Sequence, residues 1–173
     1  MMNEDTKRVV DVSATGVDVI SDTGAAAMLP EELIMTLGAP TEELDGELCN
    51  VARMASAMVQ DLFPEATLDT QVLKLAEECD EMYFGGNTRA GLVDVAIVAL
   101  QILYDYKCMV GLCILRAALQ EVSMHTEDDW KEFLSACHDK IGTSYMRNAL
   151  KFWKSDASSL SVPVYRRSSD YAE

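Results

Sequence analysis

The sequence predicts an all-α helical bundle with a helical hairpin at its centre. Three observations carry this. From Thr41 onward, apolar residues recur at three- to four-residue spacing, the period of one helix face. Pro64 and the run Gly85-Gly86-Asn87 cut that pattern into helix-length pieces. The piece before the glycine run carries Glu77, Glu78, Asp80 and Glu81, and the piece after it carries Asp94 in an otherwise apolar stretch.

The composition fits one ordinary soluble domain: 173 residues, 49% hydrophobic and 25% charged. A chain of this size buries about two-thirds of its unfolded surface, enough for a core without metal or disulfide staples. With 29 acidic against 14 basic residues the formal net charge is −15, which argues against a partner that is nucleic acid or an anionic membrane. A phosphate-bearing small molecule stays within reach, because a few local cations with Mg²⁺ invert the field inside one pocket. Five cysteines with no C-x-x-C pair read as reduced thiols, and the polar start is followed by no apolar core, so the expected location is cytoplasmic. Residues 92–115 are apolar but interrupted by Asp94, Gln101, Asp105 and Lys107, which leaves no uninterrupted span of about 18 residues for a membrane helix.

Residues 1–41 form an acidic N-terminal extension, in which residues 8–12 and 16–20 alternate as two short strands of a small hairpin would and residues 31–37 suit two helical turns. Residues 42–155 are the helical domain. Its first helix opens on Thr41 as N-cap, buries Leu48, Val51, Ala52, Ala55, Met58, Val59 and Leu62, and ends before Pro64. A second helix, capped by Asp69 or Thr70, carries Val72, Leu75, Ala76, Cys79, Met82 and Tyr83 as its apolar stripe and stops at the glycine run. A third starts at Thr88 and runs to about Val110, apolar nearly all round and therefore destined for the middle of a bundle or an oligomer interface. Helical pattern then resumes over residues 115–122, over 126–138 with Trp130, Phe133, Leu134 and Cys137 inward, and over 144–154. Residues 156–173 are Ser-rich with Pro163 and read as a C-terminal tail.

The chemistry lies in the carboxylates. Glu77 and Glu81 stand one turn apart on the second helix, with Glu78 and Asp80 between them, a spacing at which like charges repel unless a cation intervenes. Asp94 is the one charged residue of residues 92–104, and an ionised carboxylate in so apolar a helix is costly unless paired or bound to metal. Gln101 and Asp105 extend its stripe toward a pocket. Asp94 lies about eight residues after the centre of the turn and Glu78 about eight before it, so an antiparallel hairpin brings them level. Facing oxygen ligands suit Mg²⁺ or Mn²⁺. The competing reading pairs Asp94 with a buried Lys or Arg.

These residues resemble the MazG-like all-α nucleoside triphosphate pyrophosphohydrolases, whose signature is E-E-x-x-E followed by a helical turn and E-x-x-D. Glu77-Glu78-Cys79-Asp80-Glu81, in a Lys74-Leu75-Ala76 setting, fits the first half, and Asp94 ends the second. The resemblance covers about residues 45–110. It implies Glu78, Glu81 and Asp94 as metal ligands and Glu77 as an outer ligand or base for water. The implied reaction turns a nucleoside triphosphate and water into monophosphate and pyrophosphate. Lys74, Arg89, Arg147 and Lys151 are candidates to grip phosphates, with Gln101, Asp105 and Asn148 as further substrate contacts; Trp153 and Tyr83 are candidates to stack on a base. The chain departs from the signature at Gly91, where the family has a carboxylate, so either another acid fills the role or the protein is a degenerate, non-catalytic binding module. Replacing Gly91 by Glu restores the acid and removes a glycine worth about 1 kcal/mol of helix stability. The apolar third helix also suggests a homodimer or homotetramer.

Overall fold

The computed structural model describes residues 28–86 and 88–159; the strand hairpin expected over residues 8–20 lies outside these. All regular structure among the described residues is helical: α1 (Pro30–Met35), α2 (Glu42–Leu62), α3 (Leu68–Phe84), α4 (Thr88–Tyr106), α5 (Met109–Glu121) and α6 (Glu127–Ser159). No helix among them is long and apolar enough to cross a membrane.

The local starts and stops follow from side-chain chemistry. The Thr41 hydroxyl accepts from Leu44 N–H at 3.3 Å, satisfying one of the donors that the first turn of α2 leaves free. At α3 the cap is Thr67, not Asp69 or Thr70: Thr67 accepts from Thr70 N–H and Thr70 Oγ1 accepts from Thr67 N–H at 2.9 Å, so Thr70 serves as the reciprocal arm of a capping box. Gly86, at φ +74°, takes the left-handed turn into α4.

Helix α4 is the axis of the bundle. It packs against α1, α2, α3, α5 and α6, and Leu92, Val95, Ala96, Ala99, Leu100, Ile102 and Leu103 are fully enclosed. Its apolar circumference is thus covered by the chain itself, and a homodimer or homotetramer would have to use other surface. Leu33 and Ile34 of α1 and Trp130, Phe133, Leu134, Cys137 and Ile141 of α6 complete the same core.

Two expectations about helix ends are corrected. Helix α4 does not reach Val110; it stops at Tyr106, Lys107 adopts φ +51°, and α5 doubles back so tightly that a Cβ on Gly111 would stand 2.5 Å from the Ala99 carbonyl oxygen. The stretches 126–138 and 144–154 are not two helices but parts of the one helix α6. Gly142 lies within it with ordinary helical backbone; glycine costs a helix about 1 kcal/mol, which the packing of the flanking turns exceeds.

Gly91 has a structural reason. A Cβ there would meet Met82 Cα at 2.7 Å and Met82 Cβ at 2.8 Å, so the absence of a side chain lets α3 and α4 close on each other. The gain of about 1 kcal/mol in helix propensity expected of Gly91→Glu is therefore opposed by this contact. Gly91→Ala should lower stability by about 1–3 kcal/mol through overpacking, outweighing its gain in helix propensity. Gly142→Ala, which meets nothing within 4 Å, should raise it by about 1 kcal/mol. Urea denaturation of both variants checks the pair, and a stabilised Gly91→Ala would mean that the hairpin is not closed on this contact.

Candidate functional site

The close hairpin turns one side of α3 and α4 toward the end of α2 and the middle of α6, and a cavity of about 710 Å³ lies between them. Helix α3 supplies Lys74, Glu78 and Glu81, and α4 supplies Asp94. Lys140, Ser144, Arg147 and Asn148 come from α6, while Met58, Val59 and Phe63 of α2 and Ile97 and Val98 of α4 give apolar wall. Glu65, Thr70 and Gln71 stand at the side formed by the α2–α3 connection.

Burial on α3 explains which acids face in. Leu75 and Met82 are its buried residues, and they fix the face turned to α4; Ala76 and Tyr83, expected in the stripe, are exposed. Glu78 lies beside that face with its side chain only 12% exposed, whereas Glu77, one residue earlier, is turned out to 67% exposure. The Lys74 ammonium bridges them, 2.8 Å from Glu78 and 3.0 Å from Glu77. The hydrogen bond to Glu78 is the main reason that Lys74 is held above the ordinary lysine pKa.

Asp94 is met by Lys140, whose Nζ stands 2.7 Å from Oδ1 and 2.9 Å from Oδ2. The alternative that paired Asp94 with a cation is thus realised, though across a half-open pair, with side-chain exposures of 26% and 43%, rather than a buried one. Cys137 lies nearby; burial pushes its thiol up to about 12, and the charge on Asp94 adds to the effect.

Six of the predicted residues therefore share the cavity: Lys74, Glu78, Glu81, Asp94, Arg147 and Asn148. The others do not. Glu77 faces solvent, and Lys151 is exposed outside the cavity wall. Arg89 sits at the hairpin turn and binds Asp129 at 2.8 Å and Glu132 at 3.8 Å, an anchor for the start of α6 rather than a phosphate grip. Gln101, only 1% exposed, and Asp105 belong to a polar tie between α4 and α2: Asp105 accepts from Ser56 Oγ and from Gln101 Nε2, both at 2.6 Å. Tyr83 and Trp153 lie outside the cavity as well. Lys140 is the residue that sequence reasoning missed. Its signal was the helical spacing of Lys140, Ser144 and Arg147, which is lost when one helix is ended at residue 138 and the next begun at residue 144.

Among the described residues no three carboxylate, histidine or cysteine groups already converge on one point as a metal would hold them. The donor set nevertheless has the chemistry of a hard-cation site, since carboxylates from both arms of the hairpin face one cavity and two of them carry an ammonium where a cation would sit. No family model, curated protein or solved structure matches the chain.

The Arg89 contact has a consequence for acid stability. Asp129 is held well below the ordinary carboxylate range, first by Arg89 and then by the Thr126 hydroxyl and backbone N–H, which close a capping box at the start of α6. A carboxyl lowered on folding adds stability that is complete above its unfolded pKa of about 4 and is lost as the pH falls below it. Asp129→Asn should accordingly flatten the acid limb of the stability curve below about pH 4. Urea midpoints from pH 2 to 6 measure this; equal acid limbs in the two proteins would show that the pair adds nothing to stability.

Proposed function

We propose that the chain is a Mg²⁺-dependent pyrophosphohydrolase of nucleoside or deoxynucleoside triphosphates, acting in nucleotide-pool control. One observation carries this reading: Glu78 and Glu81 on one arm of the hairpin and Asp94 on the other line the same cavity as Lys74, Lys140 and Arg147. In this reading Glu78, Glu81 and Asp94 hold Mg²⁺ or Mn²⁺, which when bound neutralises phosphate charge and lowers the pKa of water. The lining has four carboxylates, Glu65 included, against three cations, an excess of one negative charge. A divalent cation reverses that sign and makes the cavity attractive to a triphosphate.

The chain's own residues then divide the work. Lys74 and Arg147 meet the phosphate oxygens, Asn148 and Ser144 offer hydrogen bonds, and the apolar wall of Met58, Phe63, Ile97 and Val98 receives the nucleoside. Glu77 is turned to solvent, so the proton of the attacking water passes to Glu78. The water oxygen bonds to the α-phosphorus, the bond from that phosphorus to the α–β bridging oxygen breaks, and monophosphate and pyrophosphate leave.

A second reading, a non-catalytic helical binding protein, is favoured by a different observation: Glu78 and Asp94 are each already neutralised by a lysine, and the Gly91 position has no room for a further acid. Incubating the protein with each common NTP and dNTP plus Mg²⁺ or Mn²⁺, and resolving the products, separates the two. Monophosphate with pyrophosphate is expected, reduced about a hundredfold or more in Glu78→Gln and Asp94→Asn and little changed in Glu77→Gln. No turnover with any nucleotide and either metal would leave the binding protein as the reading.

A further inference from the structure

We propose that Lys140 is a built-in competitor for the divalent cation, holding Asp94 in the cation-free protein and giving it up when the cation binds. This rests on the metal-binding part of the function proposed above. The Lys140 ammonium straddles Asp94, within hydrogen-bonding distance of both carboxylate oxygens at 2.7 and 2.9 Å, which is where a cation shared by the two oxygens has to lie. Asp94 needs such a partner, since the positions around it on α4 are apolar and Val93, Val95, Ala96 and Ile97 are all buried. An ammonium and a divalent cation that share the same two carboxylate oxygens compete, because their repulsion at a few ångströms is of the same order as either attraction.

The exchange is a shallow one. Both side chains are partly open to water, and pairs of that kind contribute a factor of about two to five in an equilibrium constant. Lys140 is therefore a brake on cation affinity and not a block. The second ammonium at the site differs in kind. Lys74 is on the same helix as Glu78, four residues away, and holds Glu77 as well, so it keeps a partner if Glu78 turns to a cation. Lys140 reaches Asp94 from another helix, 46 residues along the chain.

The test is calorimetric titration of Mn²⁺ into the full chain in four forms: wild type, Lys140→Met, Asp94→Asn and the double variant. Lys140→Met keeps the length of the side chain and removes its charge, and Lys140→Gln serves as a second replacement should the first fail to fold. The expected result is Mn²⁺ affinity about fivefold higher in Lys140→Met, with the gain absent when Asp94 is also changed. A lysine that merely braced α6 against α4 would show the opposite, since loosening the wall would weaken the site. Mn²⁺ binding that depends on Asp94 but is equal or weaker in both Lys140 variants would overturn the inference and leave the metal reading intact. Binding in the Lys140 variants but not in wild type would uphold the inference and remove the natural protein from the metal-dependent class. No binding in any form would end both.

Discussion

Everything in the candidate site depends on how closely α3 approaches α4. The approach is set where Gly91 meets Met82, whose Cα would lie 2.7 Å from any Cβ placed on residue 91. At that separation Leu75 and Met82 are the two α3 residues buried against the core, and their burial fixes the helix's rotation. The same rotation puts Glu78 and Glu81 on the cavity side and sends Glu77 outward. A carboxylate at position 91 would have to push the arms apart, so the bare glycine there is what lets this hairpin close.

The second constraint is electrostatic. Asp94 enters an apolar helix, and the chain answers with an ammonium from α6; Glu78 is answered by Lys74 within α3. These answers keep a cavity with four acids from repelling itself apart in the absence of any ligand. The partly buried tie of Ser56, Gln101 and Asp105 shows the alternative solution. There the carboxylate is satisfied by neutral donors at 2.6 Å, with no cation and no cavity, as a purely structural polar group should be. Two acids of the same helix thus have different surroundings, and of the two it is Asp94 that lines the cavity.

Much of this was legible in the sequence where the controlling interactions are local. Thr41 and Pro64 bound α2 because an N-cap hydroxyl and a missing N–H act within one turn, and Gly85-Gly86 marks the hairpin because positive φ is a property of one residue. That Glu78, Glu81 and Asp94 line one cavity agrees with equal helical rise on either side of the turn. What stayed hidden depends on non-local packing. Residues 139–143 read as a gap between two helices, yet the turns there are held by Ile141 beneath and by the start of α6, capped and buried through Trp130 and Phe133. Gln101 and Asp105 share a face with Asp94 by count, yet α2 covers them. Arg89 reads as a free cation beside a glycine turn until Asp129 arrives from 40 residues away.

The same distinction gives α6 a weight in the site that no motif announces. Its first half is anchored by Arg89, by the Thr126–Asp129 box and by five buried residues ending at Ile141. Beyond Ile141 no described side chain of the helix is buried, and Met146, Leu150 and Trp153 are open to solvent. Lys140 stands at that boundary, with Ser144, Arg147 and Asn148 on the exposed half. The hairpin carries the acids and Lys74, whereas Lys140, Ser144, Arg147 and Asn148 face them from a helix whose far half has no buried side chain among the described residues and is tied to α2 by the Tyr145 hydroxyl, which donates to Asp61 at 3.2 Å. Because Asp94 shares its charge with that helix, any ligand that takes Asp94 also releases one of the contacts holding α6 over the cavity, so occupancy of the site and the position of its far wall are energetically linked.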